Sequence, residues 1–191
     1  AFPNPFRRDL EMFLRIVPFK KFALLSAPYY RDALQAFGER FPRVAKEMGL
    51  EMQIINVGDS AQEALAKLEP DVEAVYLPPL LHLAPEEHDR LIKALVRCKL
   101  PSFSLRGRWD VERGIFAGLA TEETFTRLAR RTALNVQRIL LGEDAGTLPY
   151  AFPARERLTI NMATARAIGV YPPFSVLGEA ELLDEEAVEI R

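Results

Sequence analysis

Cysteine is nearly absent from this sequence, and its scarcity limits the chemistry that the chain can perform. Cys98 is the single cysteine, so no disulfide can form within the chain and no cysteine pair can hold zinc. It lies late in a predicted helix, where we expect a packing thiol and not a reactive one. The two histidines, His82 and His88, are six residues apart, which is not a zinc-binding spacing. We therefore expect no bound metal.

Long apolar runs and an excess of one charge are also missing. No apolar run approaches the ~20 residues that a membrane helix needs. The chain has 25 basic and 27 acidic residues, a net charge of −2, which does not favour binding to nucleic acid or to a membrane surface. The first residues, AFPNPFRRDL, lack the basic and then apolar pattern of a signal peptide. Three expectations stay open: a cytoplasmic protein, a processed chain, or a piece of something longer.

The familiar catalytic motifs are missing as well. The sequence contains no G-x-G-x-x-G, no Walker A sequence and no G-x-S-x-G. The two glycines of GRWDVERG have the wrong spacing for a phosphate-binding loop. The acidic residues of PEEHDR (85–90) are interpreted as a solvated first turn of a helix. The sequence therefore predicts no catalytic residue and no cofactor.

An alternation of strand and helix patterns is what the sequence does contain. Five short apolar runs predict strands, and they begin at Phe22, Glu51, Ala74, Pro101 and Gly114. Helical patterns separate the first four runs. One of these helices opens with a capping box from Ser60 to Glu63, and another has Pro85 at its first position. The alternation favours an α/β fold, a Rossmann-like parallel sheet with helices on both faces.

The pattern changes after the fifth strand. Thr121 is predicted to cap a long helix that ends at Gly142. A polar loop, a further strand and a short helix follow, and this helix is capped by Asn161 and ends at Gly169. Prolines 172 and 173 predict an irregular tail with a frayed end. A compact α/β domain thus looks complete well before the chain ends.

Several stretches of the sequence resemble a family of ABC-transporter substrate-binding proteins. RILLGEDAGTLP from Arg138 and LTINMATARAIG from Leu158 are similar to the C-terminal signature of that family. VERGIFAGLA from Val111 and RRDLEMFLRIVPFKKFALL from Arg7 also match its patterns in order and spacing. The resemblance covers residues 6–183. It implies a periplasmic-binding-protein-like fold, in which two Rossmann-like lobes are joined by three crossovers.

The resemblance also implies how the chain is divided. Residues 6–120 would form the second lobe, and residues 121–146 would be a crossover helix that belongs to a first lobe. Residues 155–183 would return as a strand, a short helix and a tail, with 184–191 frayed. Because the first lobe is missing from this sequence, we expect a fragment or the product of a truncated gene.

An apolar stripe on the long helix would lose its normal partner if the first lobe is absent. The stripe includes Phe125, Leu128 and Val136. Exposed apolar surface of this kind tends to be covered by something else. We expect it either to fold back on its own lobe or to pack in a homodimer.

Candidate ligand-binding residues follow from the position of the strand ends, because ligands of open α/β sheets bind beyond the carboxyl ends of the strands. The candidates are Ser26, Tyr29, Tyr30, Pro79, Leu80, Arg106 and Trp109. The family's ligands are small molecules, often amino acids, and the arginines favour an anionic group. The alternative is that the tyrosines pack a loop and that Arg106 is a solvated surface charge.

Three functions remain open on the sequence. The resemblance implies a periplasmic solute-binding component that presents a small molecule to an ABC permease, without catalysis. Ala27, Pro79 and Leu80 stand where the family often has polar residues, which favours the alternative of a sensory or protein-interaction domain with a vestigial pocket. The third function is a flavodoxin-like enzyme domain, which a light-absorbing cofactor on the purified protein would support.

Overall fold

The computed structural model describes residues 5–28, 40–121, 125–148 and 156–184. Its strands are β1 (Lys21–Ser26), β2 (Glu51–Asn56), β3 (Ala74–Leu77), β4 (Ser102–Ser104), β5 (Ala117–Thr121), β6 (Glu156–Asn161) and β7 (Glu181–Leu183). Its α-helices are α1 (Pro5–Ile16), α2 (Arg40–Glu47), α3 (Ala61–Leu65), α4 (Pro85–Arg97), α5 (Arg108–Val111), α6 (Phe125–Leu140), α7 (Met162–Ile168) and α8 (Phe174–Leu177), and Ala145–Thr147 form a 3-10 helix.

The strands form one sheet in the order β2-β1-β3-β4-β5-β6-β7. The neighbours from β2 to β5 pair in parallel, and so do β6 and β7. The backbone N–H of Asn161, at the end of β6, donates to the carbonyl oxygen of Phe116, just before β5, at 2.9 Å. The end of β6 thus lies at the start of β5, so β6 runs in the opposite direction to β5. The predicted Rossmann-like sheet is confirmed, with a reversal at its last two strands.

Apolar side chains cover both faces of the sheet. Along β1, Phe22 and Leu24 join one buried layer, whereas Ala23 and Leu25 join the other, as the two-residue period of a strand requires. Helices α1, α2 and α7 contribute to the first layer, and α3 and α4 contribute to the second. The predicted placement of helices on both faces is therefore confirmed.

Local signals in the sequence set several helix ends. The hydroxyl of Ser60 accepts the backbone N–H of Glu63 at 3.3 Å, which confirms the predicted capping box. Pro85 begins α4 as predicted. The side chain of Asn161 accepts the N–H of Thr164 at 2.9 Å, and Gly169 ends α7 with a φ of 75°. A left-handed φ is strained for other residues, so glycine suits this helix end.

The predictions for the tail and for Cys98 are wrong. The tail is not irregular, because α8 and β7 occupy it and Leu182 of β7 pairs with Ile160 of β6. β7 is three residues long, too short for a period of two to be recognised in the sequence. Cys98 is exposed rather than packed, since it follows the last residue of α4. The predicted frayed end lies, from residue 185 onward, outside the described residues.

The chain divides into two compact units: residues 1–120 with 158–191, and residues 121–157. The sheet belongs to the first unit, except for the last residue of β5 and the first two residues of β6. In the second, α6 is followed by the 3-10 helix, which begins where the side chain of Asp144 accepts the N–H of Gly146 at 2.9 Å. Large apolar side chains are exposed in the second half of α6 and directly after it, and they are Leu134, Val136, Ile139, Leu140 and Leu141.

The predicted packing of the α6 stripe stays a prediction. Val136 is exposed, and the side chains of Phe125 and Leu128 lie outside what the structure describes. Among the described helices, none combines the length and apolarity that crossing a membrane requires.

Candidate functional site

A tight turn follows β4 at the carboxyl edge of the sheet. The chain passes through Gly107, with a φ of 55°, and enters α5 at Arg108. A Cβ atom added to Gly118 of β5 would lie 2.8 Å from the Cα of Gly107, closer than real side chains approach. The absence of a side chain at Gly118 therefore lets the turn pack directly against β5. The turn carries two of the predicted ligand-binding residues, Arg106 and Trp109.

Hydrogen bonds to a buried carboxylate fix the backbone of this turn. Asp110 is 1% exposed, and its Oδ2 accepts the hydroxyl of Ser104. The Oγ of Ser104 in turn accepts the backbone N–H of Arg106 at 3.0 Å. The N–H of Asp110 donates to the carbonyl oxygen of Gly107 at 3.1 Å. Two side chains thus hold the position from which the Arg106 side chain projects.

Two guanidinium groups approach the ring of Trp109. The Cζ atom of Arg106 lies 3.4 Å from the ring centre, and that of Arg113 lies 4.8 Å from it. Both distances are within the range of cation–π attraction. Arg113 also pairs with Asp89 of α4. Trp109 remains 45% exposed, so part of its surface is open to solvent.

The second oxygen of Asp110 lies near two nitrogen atoms without bonding to either. Its Oδ1 is 3.6 Å from Nη1 of Arg106 and 3.5 Å from Nε2 of His88. Both distances exceed the usual hydrogen-bond range. Oδ1 of Asp110, Nδ1 of His88 and Nε of Arg113 are buried and have no hydrogen-bond partner. Buried polar atoms of native proteins are seldom left so, and three in one place mark this group as unusual.

We refer to the side chains around Trp109 as the Arg106 cluster, which consists of His88, Arg106, Trp109, Asp110 and Arg113. Burial lowers the pKa of His88 below its ordinary value. The carboxylates of Asp110 and Asp89 oppose that shift in pKa, and the guanidinium groups of Arg106 and Arg113 add to it. His88 is therefore neutral at pH 7, although its ring lies beside a carboxylate.

The loops after β2 and β3, at the same edge, are held together by His82. Nε2 of His82 lies 3.0 Å from the carbonyl oxygen of Val57 and 3.2 Å from that of Gly58. His82 thereby joins the loop after β3 to the loop after β2. Within the described residues, no three His, Cys, Asp or Glu side chains are placed to hold a metal ion.

Known proteins resemble this chain in structure. No protein-family model and no curated protein matches the chain. Solved structures do match. A conserved domain protein from Vibrio cholerae superposes with a TM-score of 0.76 at 23% identity, over 94% of this chain and 60% of its own. An ABC domain in complex with L-Trp from Streptococcus pneumonia gives 0.70 at 21%, over 94% and 62%.

A third match is a substrate binding protein with adhesive properties from Clostridium difficile, in a ligand-free, open structure. Its TM-score is 0.67 at 16% identity, over 94% of this chain and 59% of its own. The chain has a periplasmic-binding-protein-like fold. It spans about three fifths of the length of these three structures. A periplasmic-binding-protein-like fold, which the sequence resemblance implied, is thereby confirmed, whereas the division into lobes and crossovers stays a prediction.

The predicted ligand-binding residues fall into different environments on this fold. Arg106 and Trp109 are brought together. Ser26 and Leu80 are 1% and 2% exposed, and Leu80 is part of the buried layer that contacts α3 and α4. Pro79 is half-buried. Tyr29 and Tyr30 lie outside the described residues, so their role stays a prediction.

Sequence reasoning missed most members of the Arg106 cluster. It considered His88 only as a zinc ligand and assigned it no function. It also interpreted the acidic residues of α4 as solvated, which is wrong for two of them. Glu87 accepts the N–H of Ala61 at 2.9 Å, and Asp89 pairs with Arg113. The spacing of four between Arg106 and Asp110, around the single tryptophan, was a signal that could have found the cluster.

Proposed function

We propose that the chain is part of the solute-binding component of an ABC-type transport system, which binds a small molecule without catalysis. The observation that carries this proposal is the Arg106 cluster, whose turn with Arg106 follows β4 at the carboxyl edge of a sheet with a periplasmic-binding-protein-like fold. Open α/β sheets bind ligands at that edge. Charged and aromatic side chains held in one place are the kind of polar anchor that small-molecule sites contain.

The same proposal assigns the chain to lobes. Residues 6–120 and 155–183 would form the second lobe, and residues 121–146 would be the crossover segment of a first lobe. The reversal of β6 supports this assignment, because β5 ends and β6 begins at one edge of the sheet. The turn that carries Arg106 follows β4 at that edge. The first lobe would then complete a cleft over it.

The proposed ligand contacts are Arg106, Trp109 and Pro79, together with Tyr29 and Tyr30, which lie outside the described residues. Ser26 and Leu80 would support the site from behind, since both are buried. Closure of the two lobes about a hinge would enclose the ligand and present it to an ABC permease. This mechanism places the protein outside the cytoplasm. It requires no covalent step.

The alternative functions have less support. Two of the matched structures are described as an ABC domain with L-Trp and as a substrate binding protein, so the comparisons do not favour a vestigial pocket. A flavodoxin-like enzyme would be favoured by visible absorption from a cofactor that copurifies with the protein.

The proposed function is tested by thermal denaturation of the full-length gene product with a panel of small molecules. The panel contains L-tryptophan, L-leucine, L-glutamate, succinate, inorganic phosphate and D-ribose. A ligand at 100 times its Kd stabilises the folded state by about 2.7 kcal/mol, which raises Tm by several degrees. We expect at least one such shift, and a smaller shift in the Trp109→Ala variant. An unchanged Tm across the panel would contradict the proposed function.

A further inference from the structure

We propose that Arg106 binds a carboxylate group of the ligand, and that this step couples ligand binding to the uptake of one proton by His88. The inference rests on the proposed function, because it names the ligand class and the regulation of the same site. It follows from the position of one buried carboxylate, Asp110, between Arg106 and His88.

Arg106 is prepared to receive a carboxylate. Its backbone is fixed by the bond to Ser104, and its guanidinium group lies on the ring of Trp109. A guanidinium that stacks on a ring keeps its N–H donors at its rim, in the plane of the group, where they can bond a carboxylate in bidentate fashion. The pair with Asp110, at 3.6 Å, uses no hydrogen bond, so these donors are not committed to Asp110.

Engagement of Arg106 by a ligand changes the charge balance of the cluster. Asp110 is buried, and its Oδ1 faces Arg106 at 3.6 Å and His88 at 3.5 Å. When a ligand carboxylate neutralises Arg106, Asp110 is left as a buried charge with little compensation, which is unfavourable. His88 is the neighbouring group that can become a cation. A proton taken from solvent onto His88 restores the balance.

Within the described residues, the charged groups that face His88 fit this sequence of events. Asp110, Arg106 and Arg113 approach it from the connection between β4 and β5, and Asp89 approaches it from its own helix. Arg113 and Asp89 pair with each other, so their charges largely cancel. In the free protein, burial and the arginines keep the pKa of His88 low. With Arg106 bound to the ligand, Asp110 becomes the dominant neighbour and raises that pKa.

The test is isothermal titration calorimetry of the full-length gene product. The probes are the four carboxylates of the panel, each compared with its amide, in HEPES and in Tris at pH 7. We expect the carboxylates to bind and the amides to bind at least about tenfold more weakly, the effect of losing one charged hydrogen-bonded pair. Proton uptake makes the apparent binding enthalpy differ between the two buffers. Affinity should also rise as the pH falls, by up to about tenfold per unit for one linked proton.

Variants separate the roles of the two residues. Arg106→Gln should weaken binding at least about tenfold. The matched control is Arg108→Gln, two residues further, because Arg108 pairs with Glu112 and Glu181. It should leave affinity within about twofold of the unmodified protein. His88→Gln should abolish the difference between buffers and the rise of affinity at lower pH.

Each remaining outcome has a definite meaning. Two results with the unmodified protein would overturn the inference. One is that the amides bind as tightly as the carboxylates, and the other is that the apparent binding enthalpies are equal in both buffers. Binding of D-ribose alone also overturns it and leaves the proposed function intact. If no probe of the panel binds, both are overturned.

Discussion

The two compact units of the chain use apolar residues in opposite ways. In the sheet unit, apolar residues on both faces are buried by helices of the same unit, and Phe103 has no exposed surface. In the segment 121–157, Leu134 is 51% exposed and Leu140 and Leu141 are exposed further. Both units contain helices with apolar residues at helical spacing. Apolar residues at helical spacing therefore predict a helix, but the spacing does not say what will cover the apolar face of that helix.

The largest expected effect is a loss of stability when a buried side chain of the sheet unit is truncated. Phe103→Ala removes a fully buried ring that packs 5.2 Å from Phe13, so it should lower the free energy of unfolding by about 3–5 kcal/mol. The matched change in the other unit, Leu134→Ala, should alter it by less than about 0.5 kcal/mol. Urea denaturation measures both. Equal losses in the two variants would mean that Leu134 is covered in solution.

A smaller effect is expected at the turn that carries Arg106. Gly118→Ala places a Cβ 2.8 Å from the Cα of Gly107, and backbone cannot yield easily, so we expect a loss of about 1–3 kcal/mol. Gly58→Ala is the control, because nothing lies within 4 Å of its added Cβ. Its stability should change by less than about 0.5 kcal/mol. A neutral Gly118→Ala would show that the turn is not held against β5.

Two side-chain caps, one in each unit, should differ in how much they stabilise the protein. The amide of Asn161 is buried, accepts the N–H of Thr164 and donates to the carbonyl oxygen of Val111 at 2.9 Å. Asn161→Ala should therefore cost about 1–2 kcal/mol. Asp144→Ala removes a cap that is exposed to solvent, and the denaturation midpoint should not move. A midpoint that falls equally in both variants would contradict this difference.

The smallest effect concerns acid stability. Because the pKa of His88 is lowered in the folded state, the unfolded chain binds more protons below its own histidine pKa of about 6.5. The free energy of unfolding should therefore fall as the pH falls from 7.5 to 5.5. His88→Gln removes this contribution, so its stability should depend less steeply on pH. Denaturation curves at several pH values measure the two slopes, and parallel slopes would exclude His88 as the source.

Much of the fold could be predicted from the sequence, because its signals are local. The capping box at Ser60, the proline that begins α4 and the cap at Asn161 each act within a few residues. The direction of β6 could not be predicted, since strand direction depends on partners distant in sequence. β7 was missed because its stability comes from pairing with β6 and not from its own three residues.

The site was predictable only in part, because it too depends on contacts between residues that are distant in sequence. Arg106 and Trp109 stand at a strand end, a position that can be read along the chain. The link between Asp110 and His88 joins two elements 22 residues apart in sequence, and only the packing of α4 against the turn after β4 creates it. Buried polar atoms without partners are likewise a property of three-dimensional packing.

The reversal of β6 makes the second unit a very long loop between two neighbouring strands. β5 and β6 are adjacent and run in opposite directions, as the two strands of a hairpin do. The entropy of closing such a loop changes slowly with length, by about 0.6 kcal/mol for each doubling. Lengthening or shortening the connection between β5 and β6 should therefore change the entropy of closing it by less than about 1 kcal/mol.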